Sequence, residues 1–257
     1  PLPSANTTGI RSASMPAIRA YLRGERYHRR GQWDSARVAF EEAVTADSTF
    51  ALAWYRLANT LGWQGLYQVP LSLDAASNAA RFSDSLPPRM RALLIAYDLF
   101  AHGNPVAADS ARLYTQRFPD DADGWFLLGE AQYHTRAYRP LPPERLREPF
   151  DKVIELDSSL APAAIHPLEV ATAMGDTATI RRYETVFRSA ESSTELRRAQ
   201  LARRAVSGDD SALVALFESP SGLSLAAFQN RMSRASGDEV LDLALQISAA
   251  APEGPAG

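Results

Sequence analysis

Few residues of this chain have the types and spacings that catalysis, metal binding or cofactor binding requires. Its histidines are His28, His102, His134 and His166, and none shares an H-x₃-H or H-E-x-x-H spacing with a second ligand. The sequence contains no cysteine, which excludes disulfides, thiolate metal ligands and cysteine nucleophiles. It also contains no P-loop and no G-x-S-x-G motif. We therefore predict no metal site, no cofactor and no catalytic centre.

Paired carboxylates are the remaining candidates for acid–base catalysis. Glu41-Glu42 is expected on an exposed helix face and Asp120-Asp121 in a turn. Acid–base chemistry needs neighbouring carboxyl groups whose pKa values are driven apart by burial, and neither pair has surroundings of that kind. The sequence therefore predicts a protein that is not an enzyme.

Arginines form two clusters, which consist of Arg23, Arg26, Arg29 and Arg30 and of Arg197, Arg198, Arg203 and Arg204. The favoured interpretation is that they lie on solvated helix faces and pair with neighbouring acids. The alternative is that their guanidinium groups bind an acidic or carboxylate ligand. Binding of nucleic acid is not predicted, because the formal net charge is only −3.

The elements that must position these residues are predicted to be helices throughout. The spacing of apolar residues and of Gly, Asp and Pro punctuation predicts the ranges Ala17–Arg30, Asp34–Thr45, Ala51–Trp63, Ser72–Phe82, Arg89–His102, Pro105–Phe118, Glu144–Leu156, Pro162–Met174, Thr177–Ser189, Leu196–Val206, Asp210–Phe217, Leu223–Ala235 and Glu239–Ala249. Asp34 is expected to cap the second helix. A kink is expected where Pro167 follows His166. No apolar run approaches the length of a membrane span.

One group of residues in the first helix pair has the spacing of a known repeat: Gly24, Tyr27, Ala36, Phe40 and Ala43. Trp54, Leu57 and Ala58 open a second unit about 34 residues later, and Trp125, Leu128 and Gly129 repeat the W-x₂-L-G signature. In these features the chain resembles tetratricopeptide repeat (TPR) proteins. The resemblance implies an all-α fold: a right-handed superhelical solenoid of antiparallel helix pairs, with irregular C-terminal helical repeats.

The expected domain organisation is a single TPR-like solenoid over residues 17–249. It has clear repeats over 17–163 and degenerate repeats over 164–249, and it is flanked by a linker (1–16) and a flexible tail (250–257). The turns Gln64–Pro70 and His134–Pro143 are longer than the repeat requires. Because the chain begins with Pro rather than Met, we expect a trimmed chain, a processed product or a piece of a longer polypeptide. The compartment is left open, with the cytoplasm preferred and the periplasm the alternative if a membrane anchor precedes the chain.

In TPR proteins the first helix of each pair lines a groove that receives a peptide or a partner helix. By register, the resemblance places these residues in the groove: Tyr21, Glu25, His28, Tyr55, Arg56, Asn59, Trp63, Phe126, Glu130, Tyr133 and His134. The alternative for Tyr55 and Phe126 is packing against an adjacent helix. Asn59 matches the amide of the terminal-carboxylate clamp of some family members, but Tyr55 stands where that clamp has lysine.

The run from Ser14 to Ala58, together with "FPDDADGWFLLGEAQYH" and "PFDKVIELDSSLAPA", is similar to the C-terminal TPR region of large bacterial regulators. In these proteins a Ser/Thr kinase, cyclase or TolB-like segment precedes the repeats. The resemblance implies a protein–protein interaction module that acts as a sensing or docking arm. The alternative is an envelope protein that binds a small molecule or glycan on Tyr138–Pro143, Trp63 and Tyr67. The oligomeric state is left open.

Overall fold

The structure, a computed structural model, describes residues 14–250, so most of the predicted linker and tail lies outside the described residues. Apart from short 3₁₀ turns and loops, this range consists of helices: α1 (Met15–Arg29), α2 (Trp33–Ala46), α3 (Ala51–Trp63), α4 (Pro70–Arg81), α5 (Pro88–Ala101), α6 (Ala107–Arg117), α7 (Ala122–Thr135), α8 (Pro143–Leu156), α9 (Ile165–Met174), α10 (Thr177–Ser189), α11 (Ser193–Val206), α12 (Asp210–Leu216), α13 (Gly222–Met232) and α14 (Gly237–Ala250). Within it, no helix is both long and apolar enough to cross a membrane. The all-α prediction is confirmed.

The chain divides into two compact units. Unit 1 consists of Pro1–Leu141 and Glu148–Leu160, and unit 2 of Pro142–Arg147 and Ala161–Gly257. The boundary falls inside α8 beside Pro149, which lies within that helix.

Unit 1 is built from sequential helix pairs. Helices α1 and α2, α3 and α4, and α5 and α6 pack together, and the second helix of each pair also packs on the first helix of the next. The turn between α1 and α2 contains Gly31 at φ 70°, a left-handed conformation that glycine adopts without strain. The apolar interior contains Phe40, Phe50, Leu61 and Leu94, all of which are buried.

Unit 2 continues the pattern with shorter helices. Helix α10 packs on α9 and α11, α12 packs on α11, and α14 packs on α12. Helix α13 packs directly on α9, so first helices two pairs apart are in contact within this unit. Tyr183, Phe187, Ile180 and Leu213 form its buried interior.

Two local predictions are wrong. The expected kink at His166–Pro167 does not form, because a 3₁₀ turn occupies Ala161–Ala164 and α9 begins only at Ile165. Pro167 therefore lies in the first turn, where its missing N–H has no helical partner to lose. Asp34 is not the cap of α2, since the cap position is Gln32 and Asp34 accepts a hydrogen bond from Gln64 Nε2 at 2.6 Å.

Candidate functional site

One stripe of α3 organises the candidate site. Tyr55, Asn59 and Trp63 follow one another at intervals of four residues, so their side chains share one face of the helix. Tyr55 and Asn59 are buried, and Trp63 is partly exposed. The stripe thus leads from the interior of unit 1 to its surface.

Arg56 links three helices of unit 1 beside this stripe. Its Nε donates to Glu25 Oε1 of α1 at 2.5 Å, and its two terminal nitrogens donate to Asp123 Oδ1 and Oδ2 of α7 at 3.0 Å each. The guanidinium also lies 5.0 Å from the centre of the Tyr55 ring. A bidentate pair of this kind fixes orientation as well as charge. We refer to Glu25, Arg56 and Asp123 as the Arg56 clamp.

The Arg56 clamp perturbs the ionisation of its members. Burial acts to lower the pKa of Arg56, but Asp123 and Glu25 outweigh burial and hold that pKa well above its ordinary value. Desolvation raises the pKa of Asp123, and the neighbouring carboxylates Asp121 and Glu25 add to this against the attraction of Arg56. The clamp therefore contains a permanently charged arginine and one carboxylate that is more easily protonated than usual.

Two buried polar atoms on the α3 stripe lack a hydrogen-bond partner among the described residues. They are the hydroxyl oxygen of Tyr55 and Oδ1 of Asn59. The Tyr55 ring packs edge-on against Tyr97 of α5 with centroids 4.9 Å apart, and burial raises the pKa of Tyr55 well above its usual value. The hydroxyl thus stays protonated and can donate, whereas Asn59 Oδ1 can accept. Buried polar atoms without a hydrogen-bond partner are uncommon in folded proteins.

His28 has a defined protonation state in this interior. Its Nδ1 lies 3.1 Å from Thr60 Oγ1, and that hydroxyl donates to the carbonyl oxygen of Arg56 at 2.7 Å. Because the hydroxyl proton is already used, Thr60 accepts from His28, which assigns the neutral tautomer with hydrogen on Nδ1. Burial lowers the pKa of His28 well below 6.5, and the charges of Arg56 and Arg29 lower it further.

Aromatic rings continue from the outer end of the stripe. Trp63 stacks on Trp33 with centroids 5.2 Å apart and planes inclined by only 6°. On its other side Trp63 lies 6.4 Å from Phe126, which packs edge-on against Phe150 at 6.1 Å. These contacts link α2, α3, α7 and α8 through one row of rings.

The end of α7 forms a separate cluster in unit 1. Nε2 of His134 lies 3.7 Å from Glu130 Oε2, and Tyr67 covers the His134 ring at 5.0 Å. Arg136 lies 3.7 Å over the ring of Tyr133 and donates to its carbonyl oxygen. Glu130 precedes His134 by four residues, so the pair has neither of the histidine-first spacings H-x₃-H and H-E-x-x-H.

The structure brings the predicted groove residues of α1 and α3 together, but they contact one another. Tyr21, Glu25, His28, Tyr55, Arg56 and Asn59 are buried or nearly so around the Arg56 clamp. Tyr55 packs on Tyr97 and Phe126 packs on Phe150, which is the alternative of packing against an adjacent helix. The role of these residues in binding a partner stays a prediction.

Sequence reasoning missed Asp123, Thr60 and Tyr97, which complete this interior. Asp123 is two residues from Asp121, a residue that caps α7 and also accepts from Tyr114 and Arg89. Nothing in the local pattern distinguishes a clamp carboxylate from a capping one. The paired interpretation of the arginine clusters is confirmed for these pairs: Arg23–Glu42, Arg29–Asp157, Arg198–Glu195, Arg203–Glu184 and Arg204–Asp209.

Unit 2 contains its own buried charged group. His166 Nδ1 lies 3.0 Å from Glu169 Oε2 on α9. Arg198 of α11 lies 3.7 Å from Glu195 Oε1 and also donates to Ser221 Oγ at the start of α13. Burial raises the pKa of Glu195, with Glu169 adding to the shift against the charge of Arg198. The contact between Arg198 and Ser221 joins α11 to the start of α13.

Comparison with known proteins assigns no family to this chain. No protein-family model and no curated protein sequence matches the chain. One similar solved structure is that of YrrB, described as a TPR protein with an unusual peptide-binding site. It is 15% identical, covers 73% of this chain and 92% of its own, and superposes with a TM-score of 0.38.

Paired helices approach each other closely at two glycines. A Cβ atom on Gly24 would lie 2.5 Å from Phe40 Cε1, and one on Gly129 would lie 2.7 Å from Phe150 Cζ. The small residue of each signature therefore admits the aromatic residue of the second helix. The described residues form an all-α chain whose helices pack largely in sequential pairs.

Proposed function

We propose that unit 1 binds a peptide segment of a partner protein along the α3 stripe. One observation carries the proposal: the Tyr55 hydroxyl and Asn59 Oδ1 are buried without a partner on the same helix face. A peptide backbone offers one N–H donor and one C=O acceptor per residue, which matches an accepting amide oxygen and a donating hydroxyl. The partly exposed Trp63 marks the end at which the peptide enters.

The Arg56 clamp suggests how such a peptide gains access. Arg56 holds α7 against α3 through Asp123, so binding along the stripe requires these helices to separate. A carboxylate on the peptide can take the place of Asp123 on the guanidinium, because the two groups have the same bidentate geometry. We therefore propose a peptide with an acidic side chain or terminus as the ligand.

The experiment combines a displayed random peptide library with two matched tyrosine variants. Enriched peptides are synthesised, and their dissociation constants are measured by fluorescence anisotropy. Tyr55→Phe removes a hydroxyl without a partner, so we expect about tenfold weaker binding and unchanged thermal stability. The control is Tyr114→Phe, which removes a hydroxyl that donates to Asp121 at 2.6 Å. This control should lower stability by about 1 kcal/mol and leave peptide affinity unchanged.

A second variant tests the clamp. Asp123→Asn weakens the bidentate pair and should increase affinity for the enriched acidic peptides several-fold. If no peptide is enriched, or if Tyr55→Phe binds as tightly as the parent chain, the groove proposal fails. Weaker binding by Asp123→Asn would contradict the clamp mechanism while leaving the stripe as the binding site.

We further propose that this module is the sensing or docking arm of a larger bacterial regulatory protein, and that it is not itself an enzyme. Support comes from the sequence resemblance of residues 14–163 to repeats that follow kinase, cyclase or TolB-like segments. The test is deletion of this module from the full gene product. Partner recruitment should be lost while the activity of the preceding domain is retained.

Binding of a glycan or small molecule is the second candidate. Its favourable observation is Tyr138, which is 72% exposed on a turn anchored by Arg139 to Pro105 O at 3.4 Å and to Asp109 at 3.5 Å. The other two rings of the predicted platform are already in contact with neighbours, Trp63 with Trp33 and Tyr67 with His134. A thermal shift with an oligosaccharide that Tyr138→Ala abolishes would favour this candidate over the peptide.

A further inference from the structure

The outward face of α1 carries an apolar and basic stripe. Met15, Arg19, Leu22 and Arg26 follow one another at intervals of three or four residues, opposite the buried face that contains Ala17, Ala20, Tyr21, Gly24 and His28. Met15 is 58% and Leu22 47% exposed. Arg19 has no ion-pair partner among the described residues, and Arg26 lies only near the ring of its neighbour Tyr27. We call Met15, Arg19, Leu22 and Arg26 the α1 face.

The outward face of α14 carries an apolar and acidic stripe. Leu243 is buried on the side where α14 packs against α12. On the other side lie Asp238, Leu241, Asp242 and Leu245, and both of these leucines are 61% exposed. Neither aspartate has an ion-pair partner among the described residues. We call Asp238, Leu241, Asp242 and Leu245 the α14 face.

The two faces are complementary in charge and alike in apolar content. Each has two large apolar side chains, flanked by arginines in the α1 face and by aspartates in the α14 face. Contact between two α1 faces would bring arginine to arginine, and contact between two α14 faces would bring aspartate to aspartate. Like charges in contact are unfavourable, so the preferred pairing is the α1 face of one copy with the α14 face of another.

The internal packing of the chain supplies the geometry for such a contact. Within unit 1 the first helices α3, α5 and α7 are each covered by the helix that precedes them, α2, α4 and α6 respectively. Helix α1 is also the first helix of a pair, and no helix precedes it among the described residues. An incoming α14 would therefore take a place that the repeat already provides.

We propose that this chain associates with itself head to tail, through the α14 face of one copy and the α1 face of the next. The interface is heterologous, so every open assembly retains one free α1 face and one free α14 face, and association proceeds beyond a dimer unless a ring closes. Two single-helix faces form an interface at the small end of the observed range, so the association is weak. The Asp–Arg contacts are solvent-exposed and are weakened by salt. This association is independent of peptide binding in unit 1.

The test is sedimentation velocity on the parent chain and on two end-blocked variants. Leu22→Glu blocks the α1 face and Leu245→Arg blocks the α14 face, and both positions are exposed, so folding should be retained and is checked by circular dichroism. The parent chain should increase in weight-average mass with concentration at low salt. Each variant alone should remain at the monomer mass of 28.1 kDa.

An equimolar mixture of the two variants gives the decisive result. The Leu22→Glu chain keeps its α14 face and the Leu245→Arg chain keeps its α1 face, so the mixture should form a dimer and stop there. A monomeric parent chain at the highest attainable concentration overturns the proposal. It is overturned equally if a variant alone still associates, or if the mixture stays monomeric.

Discussion

Replacement of Arg56 by methionine should destabilise unit 1 strongly. Arg56 donates three hydrogen bonds to two carboxylates, and its loss leaves Glu25 and Asp123 without their cation. Breaking a buried ion pair from one side costs about 3–5 kcal/mol. The Glu25 side chain is 13% exposed and the Asp123 side chain 30%, so Asp123 regains part of its hydration. We therefore expect a loss of about 3 kcal/mol, near the lower limit.

Tryptophan fluorescence is the appropriate assay, because Trp33, Trp54, Trp63 and Trp125 all lie in unit 1. Urea unfolding followed at these residues reports the free energy of unfolding of unit 1 without a contribution from unit 2. The matched control is Arg23→Met, which removes an exposed pair with Glu42 and should cost less than about 1 kcal/mol.

This explanation can be tested further by removing the charges of Glu25 and Asp123, which no cation neutralises in the Arg56→Met chain. Adding Glu25→Gln and Asp123→Asn to the Arg56→Met chain should restore a large part of the lost stability, because the uncompensated carboxylates are the source of the cost. If Arg56→Met costs no more than Arg23→Met, the Arg56 clamp does not hold unit 1 together. If the two amide substitutions restore nothing, the cost has another origin.

Two further predictions follow from the same unit. The unfolding free energy of unit 1 should fall as pH is lowered below about 6.5, because unfolded His28 then binds a proton that folded His28, with its lowered pKa, does not. The contribution is at most about 1.4 kcal/mol per pH unit, and a His28→Gln chain that shows the same slope would refute it. Gly129→Ala should cost about 1–3 kcal/mol, because its Cβ would lie 2.7 Å from Phe150 Cζ. In thermal melts, Phe150→Leu in the same chain should recover part of this loss, and a neutral Gly129→Ala would contradict the close approach.

Local pattern predicted the helices and the contacts within a pair. The predicted range Ala51–Trp63 is the observed α3, and the spacing of Gly24 and Phe40 identified a real close approach. Both depend on residues near in sequence, whose periodicity is fixed by the helix itself.

Contacts between distant helices could not be predicted in this way. Arg56 and Asp123 are 67 residues apart, and their meeting depends on how sharply successive pairs turn. A small rotation per pair accumulates over several pairs, and no single residue encodes it. For the same reason the register placed Tyr55 in a groove but gave no sign that Tyr97 would cover it.

An ion pair joins Arg29, the last residue of α1, to Asp157, which directly follows α8. The two residues are 128 positions apart in the sequence, yet Nη1 and Oδ2 lie 2.5 Å from each other. In a linear array of repeats, each repeat contacts only its neighbours, so the terminal repeats can unfold independently of the middle ones. A chain whose first and last helices of unit 1 are joined has no free end to fray. Unit 1 should therefore unfold as one cooperative block, and loss of its final helix should loosen its first.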